Sequence, residues 1–165
     1  MSKKIFIYRH AKSDWNAEYS DDHERPLATK GVRSAKLMGK LLAKSNQVPE
    51  LVITSSALRA KNTLDTSMKE GKWKSEMKID KNLYYGSFIE IFESLNEITD
   101  KYNSIMLVSH EPKCSSLCSY LIGGGDIVFP TAAMARIDYN IESWNKITPG
   151  SGMLRWLLQP SFFLK

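Results

Sequence analysis

The sequence predicts a three-layer α/β/α domain built on a mainly parallel central sheet. Three observations lead there. Short runs of bulky apolar residues recur at Ile5–Tyr8, Leu51–Ile53 and Ile105–Val108. Each is too short for a helix and apolar on both faces, as strands buried between two layers are. Amphipathic helical patterns separate these runs and give the strand–helix–strand alternation of a parallel sheet. The chain of 165 residues, 42% hydrophobic and 25% charged, has the size and composition of one globular domain, expected to span residues 1–165.

Taken in order, Ile5-Phe6-Ile7-Tyr8 forms the first strand and stops at Arg9-His10. Residues 13–26 are polar and rich in Asp, with Trp15 the one large apolar group; they read as a loop over that strand's end, carrying His23 and Arg25. His23, among Asp21, Asp22 and Glu24, reads as a solvated surface histidine. Thr29 is expected to cap a helix that runs to about Lys44 and buries Val32, Ala35, Met38, Leu41 and Leu42. The second strand, Leu51-Val52-Ile53, ends at Thr54-Ser55-Ser56, where Ser55 or Ser56 is expected to cap a helix carrying Ala57, Ala60, Leu64 and Met68. Arg59 falls in the first turn of that helix, against the preference of the helix dipole for negative charge. The placement makes sense if an anion binds between the arginine and the exposed N–H groups.

Residues 69–82 are charged and give one weak strand near Met77–Ile79. Ser87 and Glu90 form a capping-box pattern, and Phe88, Ile91, Phe92, Leu95 and Ile98 make the apolar stripe of the helix it opens. The strand Ile105–Val108 ends at Ser109-His110-Glu111-Pro112, with Pro112 suited to the first turn of a helix whose apolar face is Cys114, Leu117, Cys118 and Leu121. Gly123-Gly124-Gly125 closes that helix as a loop. Two last strands, near Met134–Tyr139 and Met153–Leu158, are expected to form a closing hairpin or edge pair around a Pro149-Gly150 turn.

Several function classes are excluded at this level. No apolar run reaches membrane-spanning length, and the run after Lys3-Lys4 is too short for the apolar region of a signal segment, so a cytoplasmic protein without membrane contact is expected. The net charge of +5 is spread among acidic residues without a dense basic run, which argues against nucleic acid and leaves other anionic partners, phosphorylated ones included. Two cysteines, Cys114 and Cys118, sit one helical turn apart and read as packing groups rather than a zinc site.

If the three buried strands are parallel, their endings fall on one edge of the sheet, where ligands of open α/β folds bind. Arg9-His10, Ser55-Ser56 with Arg59, and Ser109-His110 would then converge with two helix N-termini on one small volume. Catalytic carboxylates are not an obvious part of it. Bidentate arginines and exposed N–H donors match the oxygens of a phosphoryl group. A neutral imidazole is a competent phosphoryl acceptor when a backbone carbonyl fixes its other nitrogen. A metal ion would lack ligands there and be repelled by the arginines, so neither metal nor other cofactor is expected.

At these residues the chain resembles the histidine phosphatase superfamily, which includes the cofactor-dependent phosphoglycerate mutases. The resemblance lies in Arg9-His10-Ala11, in Ser55-Ser56-Ala57-Leu58-Arg59-Ala60 with Thr63, and in Ser109-His110-Glu111-Pro112. Arg9-His10-Ala11-Lys12-Ser13 with Trp15, and Arg25-Pro26-Leu27 with Gly31, are similar to its small SixA-like branch of phosphohistidine phosphatases. The resemblance implies a phosphoglycerate mutase-like fold, His10 as a nucleophile that becomes phosphohistidine, and Arg9, Arg59 and His110 as ligands of the phosphoryl group. It adds Arg25 as a further substrate contact.

Two departures stand out. Ala11 replaces the glycine usual in the superfamily, and residues 81–86 lack the acidic proton donor of larger members. An alkoxide leaving group needs such an acid, which typically supplies 10²–10⁴-fold. A phosphorylated imidazole leaves more readily, so protein phosphohistidine is the expected substrate and a phosphorylated protein the expected partner of a monomeric enzyme. The alternatives are a phosphatase of small phosphate esters and a non-catalytic phosphoprotein-binding module.

Overall fold

The computed structural model describes residues 2–164. Six strands form one sheet in the order β3-β2-β4-β1-β5-β6. They are β1 (Lys3–Arg9), β2 (Leu51–Thr54), β3 (Glu76–Ile79), β4 (Ser104–Ser109), β5 (Met134–Tyr139) and β6 (Met153–Leu158). β1, β2, β3 and β4 run parallel, while β5 lies antiparallel to β1 and β6 antiparallel to β5. The sheet is therefore mostly parallel, and its apolar strands β1 and β4 lie at the centre.

Alternate residues of β1 feed two cores. Phe6 and Tyr8 face α1 (Thr29–Lys44) and α2 (Leu58–Gly71), packing with Ala35, Met38, Ala60 and Leu64. Ile5 and Ile7 face α4 (Phe88–Leu95) and α5 (Lys113–Ile122), packing with Ile91, Leu95, Leu117 and Leu121. Between β3 and α4 lies one short helix, α3 (Asn82–Tyr85), and three 3₁₀ turns occupy Asp22–Glu24, Trp144–Lys146 and Pro160–Phe162.

The α1–α2 contact is close enough to require a glycine. A Cβ on Gly39 would lie 2.3 Å from the Ser67 carbonyl oxygen. Ser67 Oγ bonds both the Ala35 carbonyl (2.8 Å) and the Tyr8 hydroxyl (2.9 Å), tying the helix pair to β1. Gly31 plays the same part for the loop after β1. A Cβ there would strike the Lys12 carbonyl, which accepts the Ala28 N–H at 2.9 Å.

Some local expectations are corrected. Thr29 is the first residue of α1, whose N-cap is Ala28 with no side-chain bond; neither Ser55 nor Ser56 is the N-cap of α2, which is Ala57. Tertiary anchoring of the preceding loops replaces capping at both ends. α4 stops at Leu95 rather than Ile98, although its Ser87–Glu90 capping box is present. β5 and β6, by contrast, are the expected edge pair, joined by the segment 140–152, which contains the expected turn at Pro149-Gly150. No helix among the described residues is long and apolar enough to cross a membrane.

Candidate active site

The carboxyl ends of β1, β2 and β4 bring the expected residues into one cavity of about 350 Å³. Arg9, His10, Lys12, Ser13, Trp15, Arg25, Arg59, His110, Glu111 and Thr131 line it. His10 follows β1 directly, and its backbone is clamped on both sides, by N–H to Ser109 O (3.0 Å) and by C=O from Ala132 N (3.1 Å). Ala11 N–H donates to Thr63 Oγ1 (2.9 Å), and Thr63 in turn donates to the Arg59 carbonyl (2.6 Å), so β1 and α2 are locked together at the site. Ala11 is fully buried without disturbing this junction.

The two imidazoles face each other, with centroids 5.0 Å apart. His10 Nδ1 lies 2.7 Å from the Ala11 carbonyl, which accepts a proton and never gives one. That contact puts the His10 proton on Nδ1 and leaves the Nε2 lone pair facing Arg59 Nε at 3.4 Å. Burial above all, together with the charges of Arg59, Arg9 and Arg25, pushes the His10 pKa down to about 4. Burial and the neighbouring His10 and Arg59 also hold His110 well below the usual imidazole value. Both rings are neutral at pH 7.

Ser55 Oγ accepts the Ala57 N–H (3.2 Å) and meets His110 Nε2 at 2.7 Å. The hydroxyl keeps a second lone pair and its own proton, so it can accept from or donate to His110 Nε2; donation to Nε2 leaves the His110 proton on Nδ1. Among the described residues, the buried side-chain nitrogens without a partner are that His110 Nδ1 and Arg9 Nε. Arg9 Nε–H is an unpaired donor, and His110 Nδ1–H is a second in the tautomer in which Ser55 donates to Nε2; both call for an acceptor such as a phosphoryl oxygen.

Arg25 is held over the Trp15 ring (3.6 Å) and bonded to Ser13 Oγ and Asp22. Asp22 is the residue that sequence reasoning missed. Its carboxylate joins Arg25 (2.9 Å) to Arg59 (3.0 Å) and accepts the Tyr84 hydroxyl (3.0 Å). Its carbonyl takes a further bond from Arg59 Nη1 (2.7 Å). Partial burial would raise this carboxyl, but the bonds from Arg25 and Tyr84 and the Arg59 charge hold it at about 2. The signal available in the sequence was its spacing, three residues before Arg25.

His23 is corrected as well. Rather than standing free in solvent, it bonds Ser56 Oγ (2.9 Å) and packs edge-on against Tyr84, because the 3₁₀ turn at Asp22–Glu24 folds back over the start of α2. The expected pair of open helix N-termini reduces to one. Glu111 accepts the Ser115 N–H (2.8 Å) and so occupies the first turn of α5. Glu90 is spent on the capping box of α4. Among the described residues, no three His, Cys, Asp or Glu side chains cluster as metal ligands.

Residues 5–85 match the family model of the histidine phosphatase superfamily (branch 1). The chain belongs to the histidine phosphatase superfamily. Its membership makes it an enzyme of the phosphatase or mutase kind. An uncharacterized protein of Mycobacterium leprae is 32% identical over 139 residues, 77% of this chain and 84% of that one. An uncharacterized chloroplastic protein of Arabidopsis thaliana is 26% identical, over 96% of this chain and 77% of its own. Among solved structures, the protein histidine phosphatase SixA complexed with tungstate superposes with a TM-score of 0.84 at 26% identity, covering 98% of this chain and 99% of the other. The likeness to SixA places the chain on the SixA-like branch of the superfamily.

Proposed function

We propose that this protein is a metal-independent phosphohistidine phosphatase that carries the phosphoryl group on His10 and takes it from a phosphorylated protein. The observation that carries the reading is the state of His10: neutral, tied at Nδ1 to the Ala11 carbonyl, with Nε2 turned into an arginine-lined cavity.

In the first step His10 Nε2 attacks phosphorus, the new N–P bond forms, and the P–N bond of the substrate phosphohistidine breaks. The departing imidazole takes its proton from water. Water then attacks phosphorus on His10, releasing phosphate and restoring the free imidazole. Arg9, Arg59 and the His110 Nδ1–H bind the equatorial oxygens through both steps, with Arg25 as a further contact. The arginines supply the positive charge that a metal would otherwise bring.

The substrate follows from the acids. Asp22, held at about 2, has no proton to give at neutral pH, and Glu111 and Glu90 are engaged with backbone N–H groups. A site without a proton donor suits a phosphorylated imidazole. Trp15, 67% exposed on the cavity wall, gives a mouth open enough for a protein side chain. The two cysteines are free and buried, which fits a cytoplasmic setting.

The test is a steady-state comparison on one preparation. Phosphohistidine protein should be hydrolysed roughly 10²–10⁴-fold faster in kcat/KM than an alkyl phosphate, and EDTA should leave both rates unchanged. Equal rates on the alkyl phosphate would make the small-ester phosphatase the better reading.

A further inference from the structure

The catalytic cavity adjoins a larger hollow of about 610 Å³, and the two share Lys12 and Thr131 in their walls. The first turns of α1 form one side of the hollow through Thr29, Lys30, Arg33 and Ser34. This helix start is built against its own dipole. The N-cap Ala28 has no side chain to accept an N–H, and the first turn holds no acid and one lysine.

Ser34 is a polar residue of the hollow's wall. It is only 6% exposed, it lines the hollow, and among the described residues its hydroxyl makes no hydrogen bond. Its oxygen is not among the buried atoms without a partner, so it opens onto the hollow. Lys12, Lys30 and Arg33 are all exposed, and no carboxylate is among the residues lining the hollow. On the Arg25 side of the catalytic cavity, Asp22 is paired with Arg25 and Arg59 and accepts the Tyr84 hydroxyl.

We propose that the hollow receives an acidic segment of the substrate polypeptide, the residues flanking its phosphohistidine. The proposal rests on the phosphohistidine reading of the catalytic cavity. A polypeptide fits better than a single second phosphate for two reasons. The three cations come from two elements, the loop after β1 and the start of α1. Pro130, Pro160 and Leu164 place apolar surface in the same walls, suited to the stems of side chains that carry their charge at the tip.

The experiment compares the wild type with the Lys30→Glu/Arg33→Glu double variant, whose new acids suit a helix start and should leave the fold intact. Four substrates are used: phosphoramidate, a phosphohistidine peptide with Asp and Glu flanks, the same peptide with Asn and Gln flanks, and a small bisphosphorylated ester. The variant should lose about 10-fold or more in kcat/KM on the acidic peptide, mainly through KM, and the loss should shrink at high salt. Phosphoramidate and the neutral peptide should change by less than about twofold, the level expected of steering alone at a distant charge. Equal behaviour of the two peptides overturns the proposal while leaving the catalytic reading in place. A loss on the bisphosphorylated ester but not on the acidic peptide makes the hollow a second phosphate site and overturns the polypeptide assignment. Failure of the wild type on phosphoramidate and both peptides overturns the catalytic reading, and this proposal with it.

Discussion

At the scale of single residues, the site depends on which atom of each side chain is left free. Arg59 turns Nε to His10 Nε2 (3.4 Å), Nη1 to the Asp22 carbonyl (2.7 Å) and Nη2 to the Asp22 carboxylate (3.0 Å). Three directions are satisfied at once by a planar fork, which a lysine ammonium cannot reproduce. Arg59→Lys should therefore behave almost as badly as Arg59→Ala, with kcat/KM on phosphohistidine reduced by about 10²-fold or more. Near-normal rates in the lysine variant would show that Arg59 contributes charge alone. His10 and Arg59 stood out in the sequence because each sits where local preference disfavours it: a histidine ending an apolar strand, a cation in a helix's first turn. Asp22 did not stand out. An aspartate in a polar loop is unremarkable until the loop folds back and aims it at two guanidiniums.

At the scale of elements, α3 and α4 show how a wall of the site is held. Ser109 Oγ donates to the Leu83 carbonyl (3.0 Å), and Lys113 Nζ bonds the Tyr84 carbonyl, so β4 and α5 fix α3 and with it the Tyr84 ring against His110. The capping box that opens α4 joins Ser87 N–H to Glu90 (2.7 Å) and Glu90 N–H to Ser87 Oγ (3.2 Å). Ser87→Ala removes one accepted bond from an exposed helix end and should cost about 1 kcal/mol in urea unfolding. Turnover of phosphoramidate should stay unchanged, because Glu90 takes no part in the chemistry. A large loss of turnover would return Glu90 to consideration as an acid. This box was readable from spacing alone, since its partners are three residues apart. The starts of α1 and α2 were not, because their anchors, Lys12 for one and Thr63 with Ala11 for the other, are distant in sequence or belong to another element.

At the scale of the whole molecule, the same burial that prepares the imidazoles costs stability in acid. His10 has a pKa near 4 when folded and about 6.5 when unfolded, and His110 is lowered in the same direction. Between those values the unfolded chain binds more protons than the folded one, so stability is full above about 6.5 and falls as pH drops toward 4. His10 alone should cost about 2 kcal/mol between pH 7 and pH 5, with His110 adding to it. Urea unfolding at the two pH values measures the loss. A His10→Gln variant, which has nothing to titrate there, should show a smaller pH dependence. An equal dependence in the variant would mean that His10 binds its proton alike in the folded and the unfolded chain.

By itself the sequence determined the strands, the helices other than α3 and most of the residues at the sheet's edge. Apolar runs of strand length and helical periodicity are local patterns, and the ends of parallel strands must share an edge whatever the loops do. Only the tertiary structure decided the rest. The return of Asp22 onto Arg25 and Arg59, the contact of His110 with Ser55, and the meeting of the cavity with the hollow at α1 all depend on groups far apart in the chain. Each is set by long-range packing, in which a hydrogen-bond partner is chosen by proximity in space, and no spacing along the chain encodes it.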